Sequence, residues 1–426
     1  MPRTINHPTG RASAARRAAI MGPLVLAIMC VPRTAFGLTP LAVGTAGADL
    51  SLAFGIDALF ANPAHLALER SDGTEVRLFS VGGGLRSNGL GLTDYRRYSG
   101  ATLDETDKQA ILGRIPLKGQ VLTANGDISA LAVHSGSWGF ALSGFGAASG
   151  RVDREVIDLL LHGNADQGDW NFAGSSGQAM AAGKAAISYG TTVWSINRRP
   201  LCVGLSAAYL HGLYYSEADN VRADLATQTS GLTGGLTGDW LSATGGWGGS
   251  LDLGAAWEPS SRSIISLKVE NLINTIHWNR DVRLKHYDLT FADLTVDNFR
   301  DSLWVADQSD APHAAVNRGL PARVRLGFGY GLKRTRLSVE VASSASPWSL
   351  DGATPVLSAG MEHHLGSVIP LRLGGSVDKA GNFALGGGAG IHLGPLHWDW
   401  SLGINQGVWI GSGRGLAAAT TMDIIF

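Results

Sequence analysis

Residues 323–333 read RVRLGFGYGLK, a stretch in which apolar side chains alternate with glycines and single charges. Alternation with period two places successive side chains on opposite faces of a β-strand. One face consists of Val324, Leu326, Phe328, Tyr330 and Leu332, and the other of Arg323, Arg325, Gly327, Gly329, Gly331 and Lys333. A glycine-rich face with isolated charges suits a crowded or wet lumen, so the apolar face is expected to meet lipid. This stretch predicts one strand of a membrane β-barrel.

The same alternation recurs along the chain. We identify fourteen such segments, near 75–87, 124–135, 136–147, 178–194, 200–214, 246–258, 261–272, 319–332, 334–343, 356–365, 368–377, 381–393, 396–405 and 416–426. Short connections such as 366–367 alternate, for the most part, with long ones near 88–123, 148–177, 215–245, 273–318, 344–355 and 406–415. An even strand number and connections that alternate in length are typical of closed bacterial barrels. We predict an all-β fold, a 14-stranded antiparallel transmembrane β-barrel over residues 75–426, with a soluble β protein as the alternative.

Two of the long connections carry helix signals. In 102–115 and in 153–161, acidic residues precede apolar ones, as in the first turns of short helices. We expect both helices to pack over the mouth of the barrel. The apolar wall should also carry tryptophans, either at headgroup level or as lipid-facing anchors, namely Trp138, Trp257, Trp398 and Trp400.

Composition excludes several classes of protein. The chain has 426 residues, of which 58 are glycine and 16% are charged, against about 25% charged in an average soluble domain. A net charge of −1 gives no basic excess for nucleic acid. Two distant cysteines, Cys30 and Cys202, do not make a disulfide scaffold. The sequence contains neither a Gly-x-Ser-x-Gly nor a His-Glu-x-x-His motif, so we predict no enzyme activity and no cofactor.

The N-terminus has the order of a secretory signal. Residues 1–17 carry four arginines and no acid, and an apolar run over 18–31 follows. Ala35-Phe36-Gly37 then places small residues where a leader peptidase cuts, before Leu38. The apolar core is shorter than the roughly 20 residues that span a membrane. We predict a signal peptide over 1–37 and the cell outer membrane as the destination.

Residues 38–74 do not read as strands. The segment is apolar, and its second half turns at Asn62-Pro63, because proline disfavours helix in the residue before it. A segment this apolar would not hang free in the periplasm. We therefore expect it to fold back into the lumen as an N-terminal hatch.

Two parts of the sequence resemble a known family. The stretch Gly44 to Asp49, followed by DALFANPA over 57–64, resembles the start of mature proteins of the long-chain fatty-acid transporter (FadL-type) superfamily, which includes the PorV-type barrels. Residues 320–327 and the tail from 368 to 402 resemble the glycine-rich late strands of an uncharacterised branch of that group. The resemblance implies a 14-stranded barrel with an N-terminal hatch, and it assigns the Asn-Pro-Ala signature but no ligand-contacting residue beyond it.

The candidate site residues fall into two sets. The gating set in the hatch is Phe60, Asn62, Pro63 and Ala64, and the lumen charges are Arg323, Arg325, Arg372 and Glu340, with Lys333 on the same face. These charges either bind an anionic headgroup or neutralise one another as buried pairs. His363 and His364 face opposite sides of a strand, so we predict no metal site there. His397 and Asp399 share a lumen face and form a polar pair at most.

The leading functional hypothesis is an outer-membrane barrel whose hatch gates passive entry of small hydrophobic, fatty-acid-like molecules. The expected partners are outer-membrane lipid, a hydrophobic ligand and the barrel-assembly machinery, which would recognise the aromatic last strand ending at Phe426. The alternative is a scaffolding barrel of a secretion or envelope complex, favoured by the glycine-rich lumen. A general diffusion porin fits less well, because a hatch would obstruct flow.

Overall fold

The computed structural model describes residues 38–68, 73–163, 169–172, 174–228, 231–294, 304–344 and 355–426. The predicted signal peptide lies outside the described residues. Within them, strands run in chain order as β1 Thr74–Ser87, β2 Gln120–Ser135, β3 Trp138–Val152, β4 Asp169–Asn171, β5 Ser176–Ile196, β6 Arg199–Gln228, β7 Gly231–Ala243, β8 Gly245–Ser260, β9 Ser263–Arg280, β10 Arg283–Leu294, β11 Trp304–Pro312, β12 Val316–Arg318, β13 Arg323–Gly331, β14 Thr335–Ser344, β15 Val356–Leu365, β16 Ile369–Asp378, β17 Phe383–Leu393, β18 Leu396–Asn405 and β19 Gly415–Ile425.

Fourteen of these strands close into an antiparallel barrel, as predicted. Going round the wall they are β1, β2, β3, β5, β6, β8, β9 and then β13 to β19. The barrel closes where β1 pairs with the last strand, with Glu75 opposite Ile425. Tight connections such as 136–137 and 394–395 lie at one end, called here the turn end, together with Phe426. The longer connections, such as 88–119 and 406–414, lie at the other end, called here the loop end.

The two faces of the wall differ as the alternation predicts. On β13, Val324, Leu326 and Phe328 are all more than 40% exposed, whereas Arg325 is 3% exposed. The same inversion holds on β18, where Trp398 and Leu402 point outward and Ser401 is buried. Exposed outward rows of this kind match the apolar band of a membrane barrel. The exception is Lys333, which lies exposed in the turn after β13 and not on the lumen face, because the strand ends at Gly331.

The wall is taller on one side than the sequence predicts. Residues 215–245 and much of 273–318 were expected to be loops, but they contain β7, β10, β11 and the second half of β6. These strands pair as an antiparallel extension beyond the loop end, with β7 between β6 and β10. Strands outside a bilayer need no apolar face, so the period-two signal is absent. The His286 imidazole hydrogen-bonds Asp239 across this sheet and lowers the pKa of that carboxyl.

Short helices occur in the N-terminal segment and in the loops at the loop end. Helices α1 Pro40–Gly44 and α2 Ala58–Ala61 belong to the N-terminal segment, and α3 Leu92–Tyr98, α4 Glu105–Arg114 and α5 Arg154–His162 to the loop end. The last two confirm the helix predictions, and Asp104 and Asp153 cap their first turns. Helix α3 was not predicted. No helix in the described part of the chain is long and apolar enough to cross a membrane.

Candidate functional site

Residues 38–68, called here the luminal segment, lie inside the barrel. Besides α1 and α2 the segment contains two short 3-10 helices, Gly55–Asp57 and Pro63–Ala67. Leu50, Ala58 and Ala64 in the segment are completely buried. Glycines on nine inward positions of the wall explain how it fits, because a Cβ at each would crowd or overlap the segment: Gly82, Gly139, Gly190, Gly204, Gly254, Gly327, Gly360, Gly374 and Gly386. Much of the unusual strand glycine is therefore space for this segment.

Asn62, Pro63 and Ala64 fasten the segment to the wall. The Asn62 side chain accepts a hydrogen bond from the Ala64 N–H at 3.0 Å, which caps the 3-10 helix. Its amide nitrogen donates to the carbonyl oxygens of Ala255 on β8 and Leu267 on β9, at 3.2 and 3.4 Å. Pro63 supplies the first residue of the helix, where its missing N–H costs nothing. The motif is thus a completely buried anchor.

We expect Asn62→Ala to lower the free energy of unfolding by about 1 to 2 kcal/mol, because it removes a helix cap and two wall hydrogen bonds. Thermal unfolding of the purified protein in detergent measures this change. Asn317→Ala is the matched control, since Asn317 is exposed and its side chain hydrogen-bonds the exposed ring of His277 and not the luminal segment. Equal melting temperatures for the two variants would contradict the anchor.

Phe60 contacts the most buried cation of the wall. The guanidinium carbon of Arg77 lies 5.0 Å from the centre of the Phe60 ring. Arg77, which is 1% exposed, also donates to Asp423 on the last strand at 2.8 Å and to Asp57 of the segment at 2.7 Å. The Phe60 carbonyl oxygen accepts from Lys268 at 2.8 Å. Arg77 therefore ties the segment to the seam where the barrel closes.

Arg325 and Glu340 form the centre of a second ion cluster. Arg325 contacts three carboxylates, at 2.6 Å to Asp49, 2.6 Å to Glu340 and 3.2 Å to Glu270. Glu340 in turn accepts the Leu50 backbone N–H at 3.1 Å. Arg323 lies beside them and contacts Glu270 at 3.4 Å. These lumen charges are mutually paired and also bound to the segment.

Arg372 belongs to a third cluster nearer the turn end. It contacts Glu362 at 2.8 Å and Asp399 at 2.7 Å. Asp399 also meets His392 at 3.3 Å, and His397 stacks on His392 with ring centres 3.7 Å apart. His397 thus reaches the carboxylate through a second histidine. Among the described residues, no group of three or more His, Cys, Asp and Glu side chains could hold a metal ion.

Two neighbouring cavities lie between the segment and the loop end. The inner cavity, of about 210 Å³, is floored by Leu38 and Val43 and walled by the inward-facing Ala342, Gly403 and Ala417, among others. The outer cavity, of about 330 Å³, lies beneath the loops around Leu117. Both have Arg86 and Asn382 in their walls, so the two cavities are adjacent. The inner cavity is thus closed from below by the segment, and the outer cavity lies beside it toward the loops.

Several of these features were missed from the sequence. Arg77, Asp57 and Asp423 are single charges in three separate parts of the chain, and nothing local marks them as partners. A buried aromatic pair at the loop end, Tyr215 and Trp278, was also missed, with ring centres 5.4 Å apart. For the strand residues Arg77 and Asp423, the available sequence signal was a charged residue on an otherwise glycine-rich or apolar strand.

The closed wall and the segment inside it define a FadL-like barrel fold, which the comparisons with solved structures support. The Ralstonia pickettii toluene transporter TbuX is 15% identical, with a TM-score of 0.52 over 92% of this chain and 100% of that one. A Pseudomonas aeruginosa FadL homologue is 14% identical, with a TM-score of 0.51 over 91% and 98%. The P. putida toluene transporter TodX is 11% identical, with a TM-score of 0.50 over 91% and 98%. At these identities the likeness establishes the fold alone.

The comparisons of sequence are less informative. A model described as a family of unknown function, DUF5723, matches residues 224–398, which run from the extension sheet to β18. No curated protein matches the chain. The likeness to the solved structures thus confirms the predicted FadL-type resemblance at the level of fold.

Proposed function

We propose that this protein is an outer-membrane barrel that passively conducts small hydrophobic molecules, with the luminal segment as its gate. This proposal rests on the inner cavity of about 210 Å³, which has a mostly apolar lining and is closed from below by Leu38 and Val43. A chamber that opens toward the loops and ends on a removable segment has the form of a binding site on a route. The toluene transporters of the same fold support this reading.

The size of the chamber points to compact ligands. An engineered apolar cavity of about 150 Å³ binds benzene. A chamber of about 210 Å³ therefore holds one substituted aromatic ring, whereas an extended fatty-acid chain needs more length than it offers. We accordingly place single-ring hydrocarbons ahead of the fatty-acid-like ligands expected from the sequence. Movement down a gradient needs no energy source.

Filling the chamber should block the route. Ala417 lines the inner cavity, whereas its neighbour Ala418 is exposed on the lipid face of the same strand. We expect Ala417→Phe to reduce uptake of labelled toluene to near the vector-only rate, and Ala418→Phe to leave uptake unchanged. The measurement is initial uptake by cells of a host that lacks its own hydrocarbon barrel.

Two results would contradict the proposal. One is wild-type uptake no faster than the vector-only control, and the other is equal uptake by the two phenylalanine variants. Labelled oleate in the same assay separates ring-sized from chain-like ligands. An increase for oleate and none for toluene would restore the fatty-acid hypothesis.

A scaffolding barrel remains the second candidate, because the lower lumen is filled. The segment and the ion clusters around Arg77, Arg325 and Arg372 leave a cavity of about 130 Å³, whose lining includes the charged residues Asp127 and Lys268. Such packing favours a rigid support. Co-purification of a stoichiometric partner, together with absence of toluene binding, would choose this candidate.

A further inference from the structure

Leu38 packs into a close-fitting site on the inner face of the wall. Its side chain is 7% exposed, and a Cβ at Gly82 on β1 would overlap the Leu38 backbone and side chain. Gly82 is paired with Asp127 on β2. Leu38 also lines both the inner cavity and the charged cavity below it. Its backbone nitrogen is therefore held at a fixed place inside the lumen.

This site contains the carboxylate of Asp127, of which one oxygen lacks a hydrogen-bond donor. The Leu38 backbone N–H donates a hydrogen bond to the Asp127 side chain. The Asp127 Oδ2 atom is buried and has no hydrogen-bond partner among the described residues. Lys184, whose charge acts on Asp127, lies 3.9 Å from the carboxylate of Asp252. A buried carboxylate oxygen without a donor is costly, so this position calls for a further donor or a positive charge.

Cleavage of the leader would supply both. Hydrolysis of the Gly37–Leu38 bond consumes one water, leaves a carboxylate on Gly37 and turns the Leu38 amide nitrogen into an α-amine that takes up a proton. The amide has one N–H, whereas the resulting ammonium has three and carries a full positive charge. One donor can then remain on the bonded oxygen of Asp127 while another reaches Oδ2, and both bonds become charge-assisted.

We infer that Leu38 is the first residue of the mature protein and that its α-ammonium forms a buried ion pair with Asp127. The small residues of Ala35-Phe36-Gly37 fit a cut at this bond. The wall thus contains a binding site for a chain end that processing creates. The ion pair fixes Leu38, which lies between the inner cavity and the charged cavity below it.

The experiment uses the processed protein, purified from outer membranes in detergent. Intact-mass spectrometry identifies the first residue, and 2-pyridinecarboxaldehyde reacts selectively with the α-amine of an accessible N-terminus. We expect a mature chain that starts at Leu38 and that reacts about tenfold or more slowly when folded than after denaturation, the factor of one charge-assisted hydrogen bond. Asp127→Asn should abolish most of this protection, and Asp127→Glu should retain part of it.

Asp219→Asn is the control, because Asp219 is exposed in the extension sheet. Heat-dependent mobility in SDS gels shows whether each variant folds. If Asp127→Asn does not fold, the first residue of the wild-type protein and the reactivity of its α-amine still test the inference. A mature chain that begins elsewhere, or a folded N-terminus that reacts as fast as the denatured one, would overturn the inference. So would equal protection in folded Asp127→Asn and Asp219→Asn proteins.

Discussion

Replacing Arg325 with methionine will destabilise the barrel more than any other single charge removal we consider. Asp49, Glu270 and Glu340 would lose a cation that lies within 3.2 Å of each. Removing one partner of a buried ion pair typically costs about 3 to 5 kcal/mol, because the remaining charge stays buried without compensation. Here three carboxylates share the loss, so we expect the upper part of that range. Urea unfolding in detergent, followed by tryptophan fluorescence, measures it.

Two further variants separate charge from packing. Arg325→Met combined with Glu340→Gln should recover part of the lost stability, since one of the uncompensated charges is removed. The glutamine oxygen can still accept the Leu50 N–H. Arg283→Met, at an exposed ion pair of the extension sheet, should leave unfolding unchanged. If Arg325→Met unfolds at the wild-type urea concentration, the cluster does not hold the segment in place.

Gly386→Val should expel the upper part of the luminal segment from the barrel. An added Cβ at Gly386 would overlap the carbonyl oxygen of Val43, and the paired Gly374 leaves equally little room beside Thr45. Backbone atoms cannot rotate away as a side chain tip would, so the segment must move. We expect the ion conductance in planar bilayers to rise from a closed level to an open one. Residues 38–68 should also become sensitive to protease.

The neighbouring glycine offers a matched control. A Cβ at Gly387 would meet nothing within 4 Å, because this residue faces away from the lumen. Gly387→Val inserts the same side chain into the same strand on the other face. It should therefore behave as the wild type in both assays. Low conductance and protease resistance in Gly386→Val would show that the segment does not close the lumen.

The wall was predictable because its signal is local and repeated. A strand alternates with period two, and a membrane barrel requires every backbone group to pair within a closed sheet. Apolar side chains then face lipid and the others face inward, as β13 and β18 show. The same rule failed for residues 215–245, because strands of a sheet that extends beyond the loop end need no lipid-facing apolar row.

The luminal segment was only partly predictable. Its apolar composition and the turn at Asn62-Pro63 excluded a strand, but nothing in the sequence specifies which wall atoms Asn62 meets. Those are the carbonyl oxygens of Ala255 and Leu267, which are 193 and 205 residues away. Such contacts depend on how the closed wall curves around the segment.

Local patterns in the sequence were enough to predict the number of strands in the barrel, the face each strand turns to lipid, and two short helices in the loops. They were not enough to predict which charges are partners. Arg325 and Asp49 are 276 positions apart. Leu38 packs on Gly82 of β1, and this places it beside Asp127, the residue of β2 that is paired with Gly82. Strand alternation and helix capping act over a few residues, whereas the pairing of buried charges follows from strand register and barrel closure, which no local stretch encodes.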